Sequence, residues 1–297
     1  MPEIPDLTVY VEHLDDRVVG HQLDDIRIAS PFLLRSVSPA VDEVVGREVV
    51  GVRRLAKQIV LELAGEMFLV VHLMIAGRLR WYDEAKPVPK RNGLAAFDFD
   101  NGSLVFTEAS RKRRASLRLV RGRDALAGLD PGGLEVCDIE FEAFFERLQS
   151  TPHTVKRALT DQRVFAGIGN AYSDEILFEA GMSPFKLGRN MSADEARKLF
   201  ETCRDVLTRW ADTLRKETGG KFPTKVTAFH PQMAVHGKYR EPCTVCGAPV
   251  QRILKSENES NYCARCQTGG RLLADRSLSR LLKDTYPKRI EDLEESP

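Results

Sequence analysis

The period of apolar and polar positions changes once along the chain. Up to about residue 130 the dominant repeat is two. Strand-like runs at Arg54 to Leu63 and Met67 to Met74 alternate or fill with Val, Ile, Leu and Phe. Ala96-Phe97-Asp98-Phe99 and Ser103-Leu104-Val105-Phe106 flank Asn101-Gly102, a pattern that predicts a hairpin. One helix precedes these strands, signalled by Pro5-Asp6 and carrying Leu7, Val11 and Leu14 on one face. Asp130-Pro131-Gly132-Gly133 then marks a boundary.

From about residue 140 the repeat is helical. Helices are predicted over Phe141 to Leu148, Val155 to Thr160, Ala171 to Ala180, and from Ala193 to Glu217. The last opens on the capping box Ser192-x-x-Glu195 and stops at Gly219-Gly220. Between two helices lies Phe165-Ala166-Gly167-Ile168-Gly169-Asn170. Glycines there let backbone amides approach a phosphate at a helix N-terminus, and a plain connecting turn fits the same residues. A Gly/Pro/Lys-rich connector, Gly219 to His236, leads to the C-terminal part of the chain.

That part carries Cys243-x-x-Cys246 and Cys263-x-x-Cys266, with sixteen residues between the pairs. Two such turns close a tetrahedron of thiolates and leave no corner for water, so the spacing predicts one structural Zn2+ in a zinc ribbon. Disulfides are the alternative. Cys137 and Cys203 are expected to be buried free thiols.

Composition changes this picture little, whereas the distribution of charge changes it more. The chain of 297 residues has a net charge of +1. Yet Ala109 to Arg123 holds seven basic residues and no acidic one, and Ala211 to Thr285 holds thirteen Lys/Arg against seven Asp/Glu. Local basic surfaces suit a phosphate-bearing partner, although a solvated charged face accounts for any one run. No secretory signal or membrane-spanning stretch is evident, so a soluble, cytoplasmic protein is expected.

One residue departs from its pattern. Leu55, Lys57, Ile59, Leu61 and Leu63 are expected to share a strand face, so Lys57 projects from an apolar side, which asks for a partner or a function unless it snorkels from the strand's end.

Pro2-Glu3 at the start, Lys57, His72-Leu73 before Ala76-Gly77, Gly167-Ile168-Gly169-Asn170-Ala171-Tyr172-Ser173-Asp174-Glu175, and the ribbon ending Cys266-Gln267 together resemble the formamidopyrimidine-DNA glycosylase and endonuclease VIII family. The resemblance runs from residue 2 to about 285. It implies an α+β fold: an N-terminal β-sandwich-like catalytic domain over 2–130, a helix-two-turns-helix domain over 131–235 and a zinc ribbon over 236–285, followed by an acidic tail over 286–297.

The implied activity is that of a bifunctional DNA glycosylase and abasic-site lyase, monomeric, acting on double-stranded damaged DNA. Once Met1 is removed, Pro2 is a secondary amine able to attack a sugar C1′, with Glu3 moving protons around the deoxyribose oxygen. By the same resemblance Lys57, His72, Lys156 and Asn170 hold phosphates around an extruded nucleotide, and Glu175 orders the site.

The chain departs from the family pattern at several places. The family's early Glu is Asp6. The Asp-Pro-Arg-Arg-Phe wedge reads Glu108-Ala109-Ser110-Arg111-Lys112-Arg113-Arg114, without the aromatic, leaving Arg111 or a neighbour to meet the estranged base. The void-filler after His72-Leu73 is Met74 or Ile75. The ribbon's phosphate-binding Arg is replaced by Asn258, a single amide donor in place of a charged fork. The connector is shorter than the loop that covers a flipped 8-oxoguanine, so the preferred lesion stays open. Two other classes are carried forward: a non-catalytic DNA-binding member of the same fold, and a zinc-ribbon RNA-binding protein.

Overall fold

The computed structural model describes residues 1–224, 229–255, 258–273, 280–281 and 287–294. The chain divides into two compact units, 1–131 with 208–227 and 132–207 with 228–297.

The first unit opens with α1 (Ile4–Val18). Two four-stranded antiparallel sheets follow. One has β1 (Leu23–Ile28), β6 (Gly93–Phe99), β7 (Gly102–Glu108) and β5 (Gly77–Tyr82), in that order. The other has β2 (Val49–Leu55), β3 (Gln58–Leu63), β4 (Met67–His72) and β8 (Ser116–Arg121). Their facing side chains form one core: Phe97, Leu104 and Phe106 from the first sheet, Ile59, Leu61, Leu69 and Leu117 from the second, and Leu7, Tyr10 and Leu14 from α1. The second sheet is also covered on its other face, where Val60, Phe68, Val70 and Val120 pack with Leu126 of the short α2 (Arg123–Ala127). Burial on both faces is why β3 and β4 read as continuous apolar runs.

Two local expectations are corrected. Lys57 is not inside a strand: β2 and β3 form a hairpin with Leu55 paired to Gln58, and Ala56-Lys57 is its two-residue turn. Leu55 accordingly packs beside Val60, on the face opposite Ile59. In the β6–β7 hairpin the turn is Asp100-Asn101, one residue early, and Gly102 already pairs with Phe99. A Cβ on Gly102 would come within 2.5 Å of both the Trp81 ring and the Tyr82 carbonyl oxygen, so the crossing of β5 demands that glycine.

In the second unit lie α3 (Phe141–Gln149), α4 (Val155–Thr160), α5 (Asn170–Glu179) and the first part of α6 (Ala193–Thr218). Phe144 stacks on Phe165 with centroids 4.7 Å apart and meets Phe200 at 5.2 Å. Burying each such ring contributes about 2–3 kcal/mol. The capping box forms as expected: Ser192 accepts the Glu195 amide at 3.2 Å and Glu195 accepts the Ser192 amide at 3.0 Å. The hairpin β9 (Gln251–Lys255) and β10 (Asn258–Tyr262) and the short α7 (Ala264–Thr268) make the ribbon. Val235, Val250, Ile253, Tyr262 and Leu272 give it a small apolar cluster. Cys203 is buried as expected, and Cys137 is only half-buried.

Candidate active site and nucleic-acid-binding groups

In the first unit the start of α1 gathers the expected catalytic groups. Pro2, Glu3 and Asp6 are buried, and Asp6 Oδ2 accepts the Glu3 backbone N–H at 2.9 Å, capping the helix. The amino group of the chain is held below its ordinary basicity, mainly by burial. Glu3 and Asp6 oppose that shift, while Lys57 and Arg78 reinforce it. Burial also pushes Asp6 up to about 7. Lys57, delivered by its hairpin turn, therefore shares one electrostatic neighbourhood with the N-terminus, Glu3, Asp6 and Arg78. Arg78 was not singled out from sequence. Its signal is a guanidinium on β5 just after the Ala76-Gly77 turn, whose carbonyls it binds: Ile75 O at 3.1 Å and Gly77 O at 2.6 Å.

His72 ends β4, half-buried, and accepts the Met74 amide through Nδ1 at 3.0 Å. Burial, then Lys57 and Arg118, lower it to about 4. It is a neutral imidazole with its proton on Nε2. The turn beyond it is tight: Gly77 donates to Leu73 O at 2.9 Å, and a Cβ there would lie 2.2 Å from that oxygen. Met74 sits at φ +52, half-buried, while Ile75 is 62% exposed. Of the two void-filling candidates, Ile75 is the one presented to solvent.

The basic loop after β7 is tied at its far end by Glu108, which accepts the amides of Arg114 and Ala115, both at 3.1 Å. Arg111, Lys112, Arg113 and Arg114 are all exposed. In the sequence Glu108 shows only as the first residue of the altered wedge segment, with no signal of this role.

In the second unit the glycine turn leads into α5. Gly167 takes φ +78, and Gln162 brackets the turn by accepting the Gly167 amide at 2.8 Å and donating to Ile168 O at 2.9 Å. Lys156, on α4, reaches back to this turn and donates to Asn170 O at 2.9 Å and Asp174 Oδ1 at 2.5 Å. Asn170 in turn donates its side-chain amide to Glu259 O at 2.5 Å. Glu175 accepts three consecutive amides, from Ala234, Val235 and His236, at 2.8, 3.0 and 2.9 Å. Burial holds its carboxyl above the usual carboxylate range, against the opposing pull of those amides. It thereby anchors the end of the connector. The side chain of Asn258 lies outside the described residues.

The four ribbon thiols lie within 4.8 Å of one another, with Cys246 to Cys263 at 3.4 Å and Cys243 to Cys266 at 3.9 Å. Thiolates at about 2.3 Å from a tetrahedral zinc stand roughly 3.8 Å apart, so the cluster fits one structural zinc.

Three family models match this chain: the formamidopyrimidine-DNA glycosylase N-terminal domain over residues 1–115, the H2TH domain of the same proteins over 128–219, and the zinc finger found in FPG and IleRS over 240–269. The formamidopyrimidine-DNA glycosylase of Desulforamulus reducens is 30% identical over 277 residues, 90% of this chain and 99% of that one. That of Thermus thermophilus is 30% identical over 280 residues, 91% and 100% of the two chains. The chain belongs to the formamidopyrimidine-DNA glycosylase family. The fold agrees: the Lactococcus lactis formamidopyrimidine-DNA glycosylase bound non-covalently to DNA with an AP site matches with TM-score 0.78 at 24% identity, over 90% of this chain and 99% of that one. A second Lactococcus lactis structure, in complex with DNA containing FAPY-dG, matches with TM-score 0.79 at 23% identity, over 90% and 100%. Family membership and the four-cysteine cluster together favour zinc over disulfides in the ribbon.

Proposed function

We propose that this chain is a bifunctional DNA glycosylase and abasic-site lyase of base excision repair, acting on oxidised bases in duplex DNA. Its family carries the glycosylase assignment. The observation that carries the lyase is the start of the chain, placed beside Glu3, Asp6, Lys57 and Arg78 in surroundings that disfavour a cationic amine. A Pro2 amine exposed by loss of Met1 inherits those surroundings, so more of it is unprotonated near neutral pH.

The chemistry follows from these groups. The Pro2 nitrogen lone pair forms a bond to C1′ as the glycosidic C–N bond breaks, and the base leaves with the bonding pair and a proton. Glu3 exchanges the proton at the sugar oxygen as the ring opens to an iminium. That iminium acidifies the C2′ proton. Its removal expels the 3′ phosphate by β-elimination, and a second elimination releases the 5′ phosphate. Lys57 and the His72 Nε2–H supply donors for backbone phosphates on the first unit, and Lys156 and Asn170 do so on the second. Ile75 is the apolar side chain suited to fill the space of an extruded base, and Arg111 the donor suited to meet its partner. Glu175 serves by fixing residues 234–236. The three segments assigned to catalysis, helix-two-turns-helix and ribbon stand as functional divisions. We assign the protein to the cytoplasm as a monomer.

A panel of duplexes, each with one oxidised purine, formamidopyrimidine or oxidised pyrimidine, tests this through strand cleavage. A second reading, a non-catalytic DNA-binding member of the fold, rests on Arg111 to Arg114 standing where the aromatic wedge is expected. Binding of every duplex with cleavage of none would establish it and remove the first.

A further inference from the structure

Asp174, on α5, is a buried carboxylate of the second unit. It is 1% exposed, and its two oxygens are shared among three separate parts of the chain. Oδ1 accepts Lys156 Nζ at 2.5 Å. Oδ2 takes His236 Nδ1 at 2.7 Å and Asn261 Nδ2 at 3.4 Å. Lys156 comes from α4, His236 from the end of the connector, and Asn261 from β10. His236 is 6% exposed, and its ring lies nearly parallel to Phe229 with centroids 5.5 Å apart.

Nothing in the family roles carried over from sequence uses Asp174 or His236. Both nevertheless belong to the hydrogen-bonded group that surrounds Lys156, Asp174 directly and His236 through Asp174. An ammonium has three N–H groups. Two are taken, by Asn170 O and Asp174 Oδ1, and the residue is 8% exposed. One N–H remains for an outside ligand, in a fixed direction. A free lysine would lose its rotamer freedom on meeting a phosphate; this one has already lost it. The arrangement has an electrostatic cost, because Asp174 cancels at close range the charge that attracts a phosphate.

We propose that Asp174 and His236 are positioning residues: His236 orients the Asp174 carboxylate, and Asp174 aims the Lys156 ammonium at one backbone phosphate, giving up net attraction for DNA in exchange for direction. This rests on the reading of Lys156 as a phosphate contact.

The opposition of charge and direction makes the proposal testable, since a purely structural role predicts no gain of binding. Lys156→Ala, Asp174→Asn and the double variant are compared for zinc content, melting, salt-dependent binding of an undamaged duplex, and single-turnover cleavage of a lesion-bearing duplex. Asp174→Asn releases the charge of Lys156. It should tighten binding of undamaged duplex and steepen the logarithmic salt dependence by up to about one unit. In the same variant, cleavage of the lesion duplex should fall by about tenfold or more, the loss expected for a hydrogen bond to a charged group. Added to Lys156→Ala, it should lower cleavage no further. His236→Asn keeps an amide donor in place of Nδ1 and should stay within about threefold of wild type, whereas His236→Leu, which lacks it, should follow Asp174→Asn.

Losses that multiply in the double variant, or an Asp174→Asn protein that binds undamaged duplex more weakly, overturn the proposal and leave Lys156 as a phosphate contact. If Asp174→Asn loses zinc or does not fold, the His236 pair decides, and equal cleavage by the Asn and Leu variants overturns it. If Lys156→Ala itself binds and cleaves as wild type, the phosphate reading falls and the proposal falls with it.

Discussion

His72 Nδ1 accepts the Met74 amide at 3.0 Å, which fixes the imidazole tautomer and leaves Nε2–H as its outward donor. The same ring is lowered to about 4, while Asp6 on α1 is raised to about 7. These shifts act on stability with opposite sign. For His72 the unfolded chain binds more protons than the native one from about pH 4 to 6.5, so its contribution is present above that window and lost as pH falls through it. For Asp6 the native chain binds more protons from about pH 4 to 7, so its contribution is present below that window and lost as pH rises through it.

The two therefore offset in the wild type, and single variants should uncover each. Relative to wild type, His72→Asn should lose stability as pH rises from 4 to 6.5, and Asp6→Asn should gain it as pH rises from 4 to 7. The change is roughly 3 kcal/mol for His72 and roughly 4 kcal/mol for Asp6, at 1.36 kcal/mol per pH unit. Urea unfolding at pH 4.5, 5.5, 6.5 and 7.5 measures both. Curves that run parallel to wild type would show that neither group is perturbed.

Blocking the N-terminus tests the nucleophile. A protein that retains Met1 should give no borohydride-trapped adduct with abasic DNA, while the processed protein traps efficiently. Pro2→Gly is less decisive, because glycine also offers an amine. Full lyase activity with Met1 retained would transfer the role to Lys57, whose charge is felt at the N-terminus.

Much of this architecture was legible, and the failures have local causes. The α6 start was readable because Ser192 and Glu195 cap each other within four residues. The cysteine spacing was readable because zinc geometry dictates it. The β2–β3 turn was not, because Ala56 adopts φ +50 without the glycine or asparagine that usually announces such a backbone. Lys57 was consequently placed on a strand face when it stands at a hairpin tip. Asp174 was visible in sequence but had no assignable role. Its partners come from positions 18, 62 and 87 residues away, and only the packing of α5 brings them together.

Zinc should matter to the DNA grip through hydrogen bonds that leave the ribbon. Asn170 donates to Glu259 O on β10, and Asn261 on β10 donates to Asp174. Cys263→Ser should lose the metal, unfold the hairpin and release both contacts. Duplex affinity should fall about tenfold or more, the scale of losing two such bonds, with the melting of the N-terminal sandwich little changed. Metal analysis and binding titration on one preparation check this. A metal-free protein with wild-type affinity would separate the ribbon from DNA binding.

Ile75 and Lys57 should fail in different ways, since one offers apolar surface and the other charge. Ile75 is 62% exposed beside a turn whose backbone is fixed by Gly77 packed on the Leu73 carbonyl, so truncating it removes no core packing. Ile75→Ala should keep wild-type stability and the wild-type salt slope. It should cleave a lesion-bearing duplex about tenfold more slowly, near the transfer value of a partly buried aliphatic side chain, while a single-stranded abasic oligonucleotide is cut at the normal rate. Lys57→Ala should instead flatten the logarithmic salt dependence by roughly one unit, because a phosphate contact is lost with its released counterion. The Lys156→Ala slope should flatten less, since Asp174 already offsets that charge. Equal slopes for the two lysine variants would mean that the Asp174 pair does not persist when DNA binds. An Ile75→Ala enzyme slowed equally on both substrates would mean that Ile75 does not act on the extruded nucleotide.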